Sequence, residues 1–274
     1  MLKQRVVTAL ILAPLALWGI VALSETAFNQ AWGVVVVLAA WEWGRLGGLS
    51  GRLAVIYALF IAALIAVLFV VPAASRWQAA VLLLAGLWWL GLLFRLAGFR
   101  QRPVPHGVHP FSALSSGIPV LLGVYFAVVL LRHSPGLGYP YIILLMLLVW
   151  GADTAAYFAG RAFGRHKLLP NVSPGKTWEG VIGALLASLA IASAGAFWLA
   201  VPWGRWPAFL AVSLVTVVFS VVGDLNESYF KRRAGVKDSS HLLPGHGGIL
   251  DRIDSLTAAA PIFLMGLNLL VRNP

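Results

Sequence analysis

Cysteine is absent from all 274 residues. That excludes a disulfide framework, a thiolate zinc cluster and a thiol nucleophile. Any metal has to be held by Asp, Glu, His or backbone oxygen, which favours hard, oxygen-ligated ions such as Mg²⁺. Charge is scarce as well: 11% of residues are charged against 60% hydrophobic. So little charge cannot cover the surface of a soluble domain, and the balance is that of a membrane protein. Acidic residues are rarest, nine against 20 Lys and Arg, for a net charge of +11. Most of the basic residues serve topology and anionic lipid, and a few are left for an anionic substrate. Nucleic acid is excluded as a partner because no basic soluble domain is present to hold it.

Nine apolar segments can be marked, at about residues 6–23, 28–44, 53–71, 77–94, 112–131, 139–160, 179–200, 207–223 and 255–271. The first imitates a signal peptide behind Lys3 and Arg5, but it is long for one and further spans follow, so it reads as a retained helix. The second is the weakest, being short and carrying Glu42. The expected architecture is therefore all-α: a polytopic transmembrane helical bundle of about nine spans. It forms a single integral membrane domain, with N-terminal helices over 1–140 and a catalytic half over 141–274. With nine spans, only Arg76, Arg132, Arg205 and Arg272 of the 20 basic residues fall on one side. The rest, among them Arg100 and Arg102, lie with the N-terminus, which places that side in the cytoplasm. The polar loops at 161–178 and 224–254 face the cytoplasm together.

Seven of the nine acids lie beyond residue 150: Asp153, Glu179, Asp224, Glu227, Asp238, Asp251 and Asp254. Carboxylates at membrane depth are costly and mark function unless paired. If helix continues past Gly223, then Asp224, Glu227, Ser228 and Lys231 share one face. The bland reading is an amphipathic helix end with a Glu227–Lys231 pair, which leaves Asp224 unexplained. Next come Lys237-Asp238 and then Pro244-Gly245-His246-Gly247-Gly248-Ile249-Leu250-Asp251-Arg252-Ile253-Asp254. Glycines before a helix start let backbone N–H groups turn toward an anion. Asp251 and Asp254, three apart, can grip a divalent ion, or can simply offset the helix dipole. His246 is open to three roles: general base, phosphate donor or turn residue.

In the other loop, Ser173-Pro174-Gly175-Lys176-Thr177 contains Gly-Lys-Thr. It is not a Walker A motif, because Pro170 stands where the first glycine belongs and no strand is expected before it. Helix initiation, with Ser173 as N-cap and Pro174 at N1, is one reading. Phosphate binding by Ser173, Lys176 and Thr177 is another, and both can hold together. Asp153, inside the sixth segment, is either a paired structural acid or part of a site. The residues alone lead to divalent-metal-assisted phosphoryl or nucleotidyl transfer to a lipid, with no nucleotide named.

The run Ser228-Tyr229-Phe230-Lys231-Arg232, then Lys237-Asp238, then Pro244 to Asp254 resembles the signature of phosphatidate cytidylyltransferases. Gly151 to Tyr157 and Ser173 to Gly180 are similar to further motifs of that family. The resemblance implies an enzyme of the inner membrane that makes CDP-diacylglycerol and pyrophosphate from CTP and phosphatidic acid at the cytoplasmic face. It implies Mg²⁺ held by Asp224 and Asp251 with Asp254 in support, and a second cation such as K⁺. Lys231, Lys237, Arg232 and Arg252 would neutralise the phosphates. Ser173, Lys176, Thr177, Ser228, Asp238, His246, Gly247 and Gly248 would line the pocket, and the chain would act as a homodimer. The sequence departs from the family pattern twice: Gly175 stands where Lys is usual, and Ser240 where a small residue, often Gly, is usual. A transporter of a phosphorylated solute would favour an inverted repeat, and none is evident.

Overall fold

The computed structural model describes residues 2–72, 74–98, 104–105, 107–133 and 136–272. Arg100 and Arg102 lie outside the described residues, as do the side chains of Lys3, Arg5 and Arg272. The helices are α1 (Leu2–Ala22), α2 (Glu25–Leu46), α3 (Gly51–Val70), α4 (Ala74–Gly98), α5 (Pro110–His133), α6 (Tyr139–Phe163), α7 (Trp178–Trp198), α8 (Trp206–Ala234) and α9 (Leu250–Arg272). Among the described residues, seven of them, α3 to α9, are long and apolar enough to cross a membrane. The described apolar part of α1 is shorter, Leu10–Ala22. Helix α2 carries Glu25, Glu42 and Arg45 and falls outside the seven.

The element boundaries follow local chemistry. Ser24 caps α2 by accepting from the Ala27 N–H, and Pro140 sits in the first turn of α6, where its missing N–H costs nothing. Helix α8 ends on Gly235, whose φ of +71° is the left-handed conformation that glycine adopts without strain. The end of α1 is closed from a distance: Arg132 on α5 donates to the Ile20 and Leu23 carbonyls.

The helical bundle is as expected, and two local features differ. The chain is not purely helical, because β1 (Lys167–Leu169) and β2 (Ser173–Thr177) form an antiparallel hairpin in which Lys167 pairs with Thr177 and Leu169 with Ser173. Ser173 is accordingly in a strand and does not cap a helix. The N-cap of α7 is Thr177, whose Oγ1 accepts the Gly180 N–H at 3.1 Å. Glu179 completes the turn by accepting the His166 N–H and binding His166 Nδ1 at 2.7 Å. Thr177 thus opens the helix four residues later than Ser173 would, and Glu179 ties its first turn to His166, which leaves Ser173–Thr177 to pair as extended backbone. Pro174, with no N–H, is tolerated in so short an edge hairpin. The second difference concerns the loop at 224–254. Helix α8 runs on through it to Ala234, so the connection to α9 spans only 235–249.

Helix α5 occupies the middle of the bundle and is buried on all sides from Val120 to Val129, as expected of a helix apolar all round. It packs against α2, α4 and α9, while α6 pairs with α7 and α8 with α9. Small residues set these approaches. A Cβ on Gly223 would overlap the Asp254 carbonyl and sit 3.2 Å from the Ser255 Cα. The backbones of α8 and α9 therefore cross almost in contact beside Asp224, as small residues allow at membrane helix interfaces. Large apolar side chains such as Leu59, Phe94, Phe158 and Leu186 point outward, as lipid-facing residues do.

Candidate active site

The last turns of α8 carry the polar face that its spacing predicts. Ser228 Oγ donates to Asp224 Oδ1 at 3.2 Å, and Lys231 Nζ donates to Glu227 Oε2 at 2.6 Å. The same ammonium reaches Asp251 Oδ1 on α9 at 2.7 Å. Glu227 is only 1% exposed and Asp251 9%, so two buried carboxylates share a half-buried ammonium that joins the two helices. A second ammonium comes from the hairpin: Lys176 Nζ lies 2.8 Å from Asp224 Oδ2. The hairpin is tied to α8 once more by Arg232 Nε, which donates to the Val172 carbonyl. Asp153 on α6 lies within electrostatic reach of Lys176, Asp224 and Arg252.

The loop between α8 and α9 folds tightly on itself. Gly245 and Gly247 take φ of +75° and +79°. The Leu243 N–H donates to the Gly247 carbonyl and the His246 N–H to that of Leu243. Asp251 then pulls the loop onto α9: its Oδ2 accepts the Gly248 N–H at 2.7 Å, the Ser239 N–H at 2.9 Å and Ser239 Oγ at 2.9 Å. Asp254 Oδ1 accepts the Ser255 N–H at 2.6 Å.

The expected residues thus fall into groups. Asp224, Ser228, Lys231, Asp251 and Lys176 are joined by direct contacts, and Asp254 lies within electrostatic reach of Asp224, Glu227 and Lys231. Lys237, Asp238 and Arg252 are exposed around it. Thr177 is buried as the cap of α7, with Ser173 at the far end of the same strand. His246 is half-buried, and its Nδ1 accepts and donates nothing. Gly247 and Gly248 carry the turn. A Cβ on Gly175 would meet no atom within 4 Å, so the position faces open space.

Sequence reasoning missed two participants. Glu42, on α2, is fully buried and accepts from Ser239, Ser240, Ile249 and Leu250. Ser239 lies between it and Asp251. The signal for Glu42 was present, since a lone acid in an apolar segment has to find partners.

Carboxylate oxygens are the donor type that a hard cation takes. Asp153, Asp224, Glu227, Asp251 and Asp254 gather round two ammoniums, and the buried Glu227 Oε1 accepts no hydrogen bond. Among the described residues no three of these side chains close round a single point. Lys176 pairs with Asp224, and Lys231 with Glu227 and Asp251, instead.

A model of the cytidylyltransferase family matches residues 3–270. The chain belongs to the cytidylyltransferase family. It is 48% identical over 266 residues to the phosphatidate cytidylyltransferase of Pseudomonas aeruginosa, covering 96% of each chain. It is 37% identical to that of Haemophilus influenzae, over 96% of this chain and 97% of the other, and 34% identical to that of Brucella suis, over 96% and 92%. The likeness thus reaches the first 150 residues, where the signature motifs do not, and includes the segment that supplies Glu42. The seven long apolar helices among the described residues make this cytidylyltransferase family member a multi-pass membrane protein.

Proposed function

We propose that this family member transfers CMP from CTP to phosphatidic acid, giving CDP-diacylglycerol and pyrophosphate for phospholipid biosynthesis. The observation that carries the reading is the Lys231 bridge between Glu227 and Asp251 at the α8–α9 seam. Lys176 and Asp224 stand beside it, in a chain alike over 96% of its length to phosphatidate cytidylyltransferases. A phosphate oxygen of the lipid bonds to the α-phosphorus of CTP while the α–β anhydride bond breaks, and pyrophosphate leaves with that electron pair. No covalent enzyme intermediate is needed, because positioning and charge stabilisation suffice.

Lys176, Lys231, Lys237, Arg232 and Arg252 neutralise the phosphates in this reading. Ser173, Thr177, Ser228, Asp238, His246, Gly247 and Gly248 shape the pocket. Mg²⁺ would be held by Asp224, Asp251 and Asp254, with a monovalent cation such as K⁺ nearby, and when bound it supplies charge neutralisation at the phosphate oxygens. The proposal includes nine spans in one membrane domain, an N-terminal half over 1–140 and a catalytic half over 141–274. It places the chain in the inner membrane, with the N-terminus and the site on the cytoplasmic face, and takes the active form to be a homodimer. Purified protein given CTP, phosphatidic acid and Mg²⁺ is expected to release pyrophosphate in step with CDP-diacylglycerol, and Asp251→Asn to release neither. Folded wild type that is inactive across nucleotides and lipids would overturn the reading.

A further inference from the structure

Glu42 is fully buried at 0% exposure, and everything that holds it belongs to the segment leading into α9. Its Oε1 accepts Ser240 Oγ at 2.5 Å and the Ile249 N–H at 2.9 Å; its Oε2 accepts the Leu250 N–H at 2.6 Å and Ser239 Oγ at 3.1 Å. A carboxylate has about four acceptor sites, so these donors use it fully and leave no oxygen for substrate.

The N–H groups at a helix start are the ones that would otherwise meet a phosphate. Here the Ile249 and Leu250 N–H groups are taken by Glu42 and that of Gly248 by Asp251. The anion expected at this glycine-rich helix start is the protein's own. Ser239 Oγ contacts both carboxylates at once, and its single proton is shared between them. The fit is close enough that a Cβ on Gly248 would overlap both Ser239 Oγ and the Glu42 carboxylate. Ser240, at a position where a small residue is usual in the resemblance, is in this chain a donor to the clamp. The chain of contacts runs from Glu42 through Ser239 to Asp251, and from Asp251 to Lys231.

We infer that Glu42 is a positioning residue for the transfer reaction: by clamping the Ser239–Leu250 segment it sets where Asp251 and Lys231 stand. The inference rests on the reaction assigned above, and its test has an arm that needs no turnover.

Wild type, Glu42→Gln, Glu42→Asp and Glu25→Gln are purified in detergent. CTP is varied at fixed phosphatidic acid, and amide exchange is followed without substrates. Glu25, at the other end of α2 and paired with His133, is the control and is expected to match wild type in both measurements. In Glu42→Gln one acceptor becomes a donor facing donors. Its kcat is expected to fall about 10–100-fold with KM for CTP moved less than about threefold, and exchange over residues 239–250 to speed up at least about tenfold, with α5 still protected. Glu42→Asp is expected to recover part of both. If Glu42→Gln does not fold, Ser239→Ala with Ser240→Ala removes two donors, keeps the charge, and is judged by the same criteria. The inference is overturned by kcat within about twofold of wild type, by unchanged exchange over 239–250, or by a loss confined to KM with the loop still protected. An inactive wild type would refute the assigned reaction, while the exchange arm would still decide whether Glu42 holds the loop.

Discussion

Lys231 and Asp251 are twenty residues apart in sequence and 2.7 Å apart across the α8–α9 seam, with Glu227 on the other side of the same ammonium. An isolated Glu227–Lys231 pair on a helix surface is worth only about 0.3–0.5 kcal/mol. Shared between two buried carboxylates, the half-buried ammonium has a different standing, because removing it leaves buried charge uncompensated, at up to about 3–5 kcal/mol. Lys231→Met is therefore expected to lower the melting temperature in detergent by several degrees as well as abolish turnover. Lys231→Arg is expected to keep most of the stability. Equal melting temperatures for wild type and Lys231→Met would refute the bridge.

Gly175 faces open space, so restoring the lysine usual in the resemblance meets no steric barrier. Gly175→Lys is expected to change stability by less than about 0.5 kcal/mol. One more cation at the rim contributes about 1 kcal/mol to a triphosphate at short range in water, equivalent to a KM for CTP lower by about fivefold. Titrating CTP at two salt concentrations checks this, since the gain should shrink as salt rises.

Gly223 is the point where α8 passes over the Asp254 carbonyl. Gly223→Leu overpacks that crossing at a cost of about 1–3 kcal/mol and pushes Asp224 away from α9. The expected result is a folded protein with little activity. Thermal melts read alongside pyrophosphate release would separate the two effects, and full activity would refute the close crossing.

The lack of native cysteine turns topology into a direct measurement. Ser50 and His241 are both exposed, and both are expected on the N-terminal side. Ser50→Cys and His241→Cys, made singly, should react with an impermeant thiol reagent from the same face of the membrane. Reaction from opposite faces would rule out nine spans.

The sequence was most informative where its signals were local. The face shared by Asp224, Glu227, Ser228 and Lys231 follows from helical spacing alone, and the structure has it. The start of α7 was misplaced because Ser173-Pro174 and Thr177 with Glu179 are both good helix openings. The choice between them depended on a hairpin whose other strand, Lys167–Leu169, is too short to announce itself. In the sequence Glu42 is only an interruption of an apolar segment. Its partners, Ser239 to Leu250, lie 197 or more positions away, beyond any argument from periodicity. The pairing of Lys176 with Asp224 was hidden for the same reason.

The clamp on Glu42 also has a history in time. Helix α2 leaves the ribosome early, and Ser239 follows 197 residues later, which at roughly 5–20 residues per second is a delay of about 10–40 s. Throughout that interval the carboxylate has none of its four eventual donors. Helix α2 must wait, beside the insertion machinery or at the membrane surface, for residues 239–250 to arrive. Packing around Glu42 is therefore completed only when the segment leading into α9 has been made.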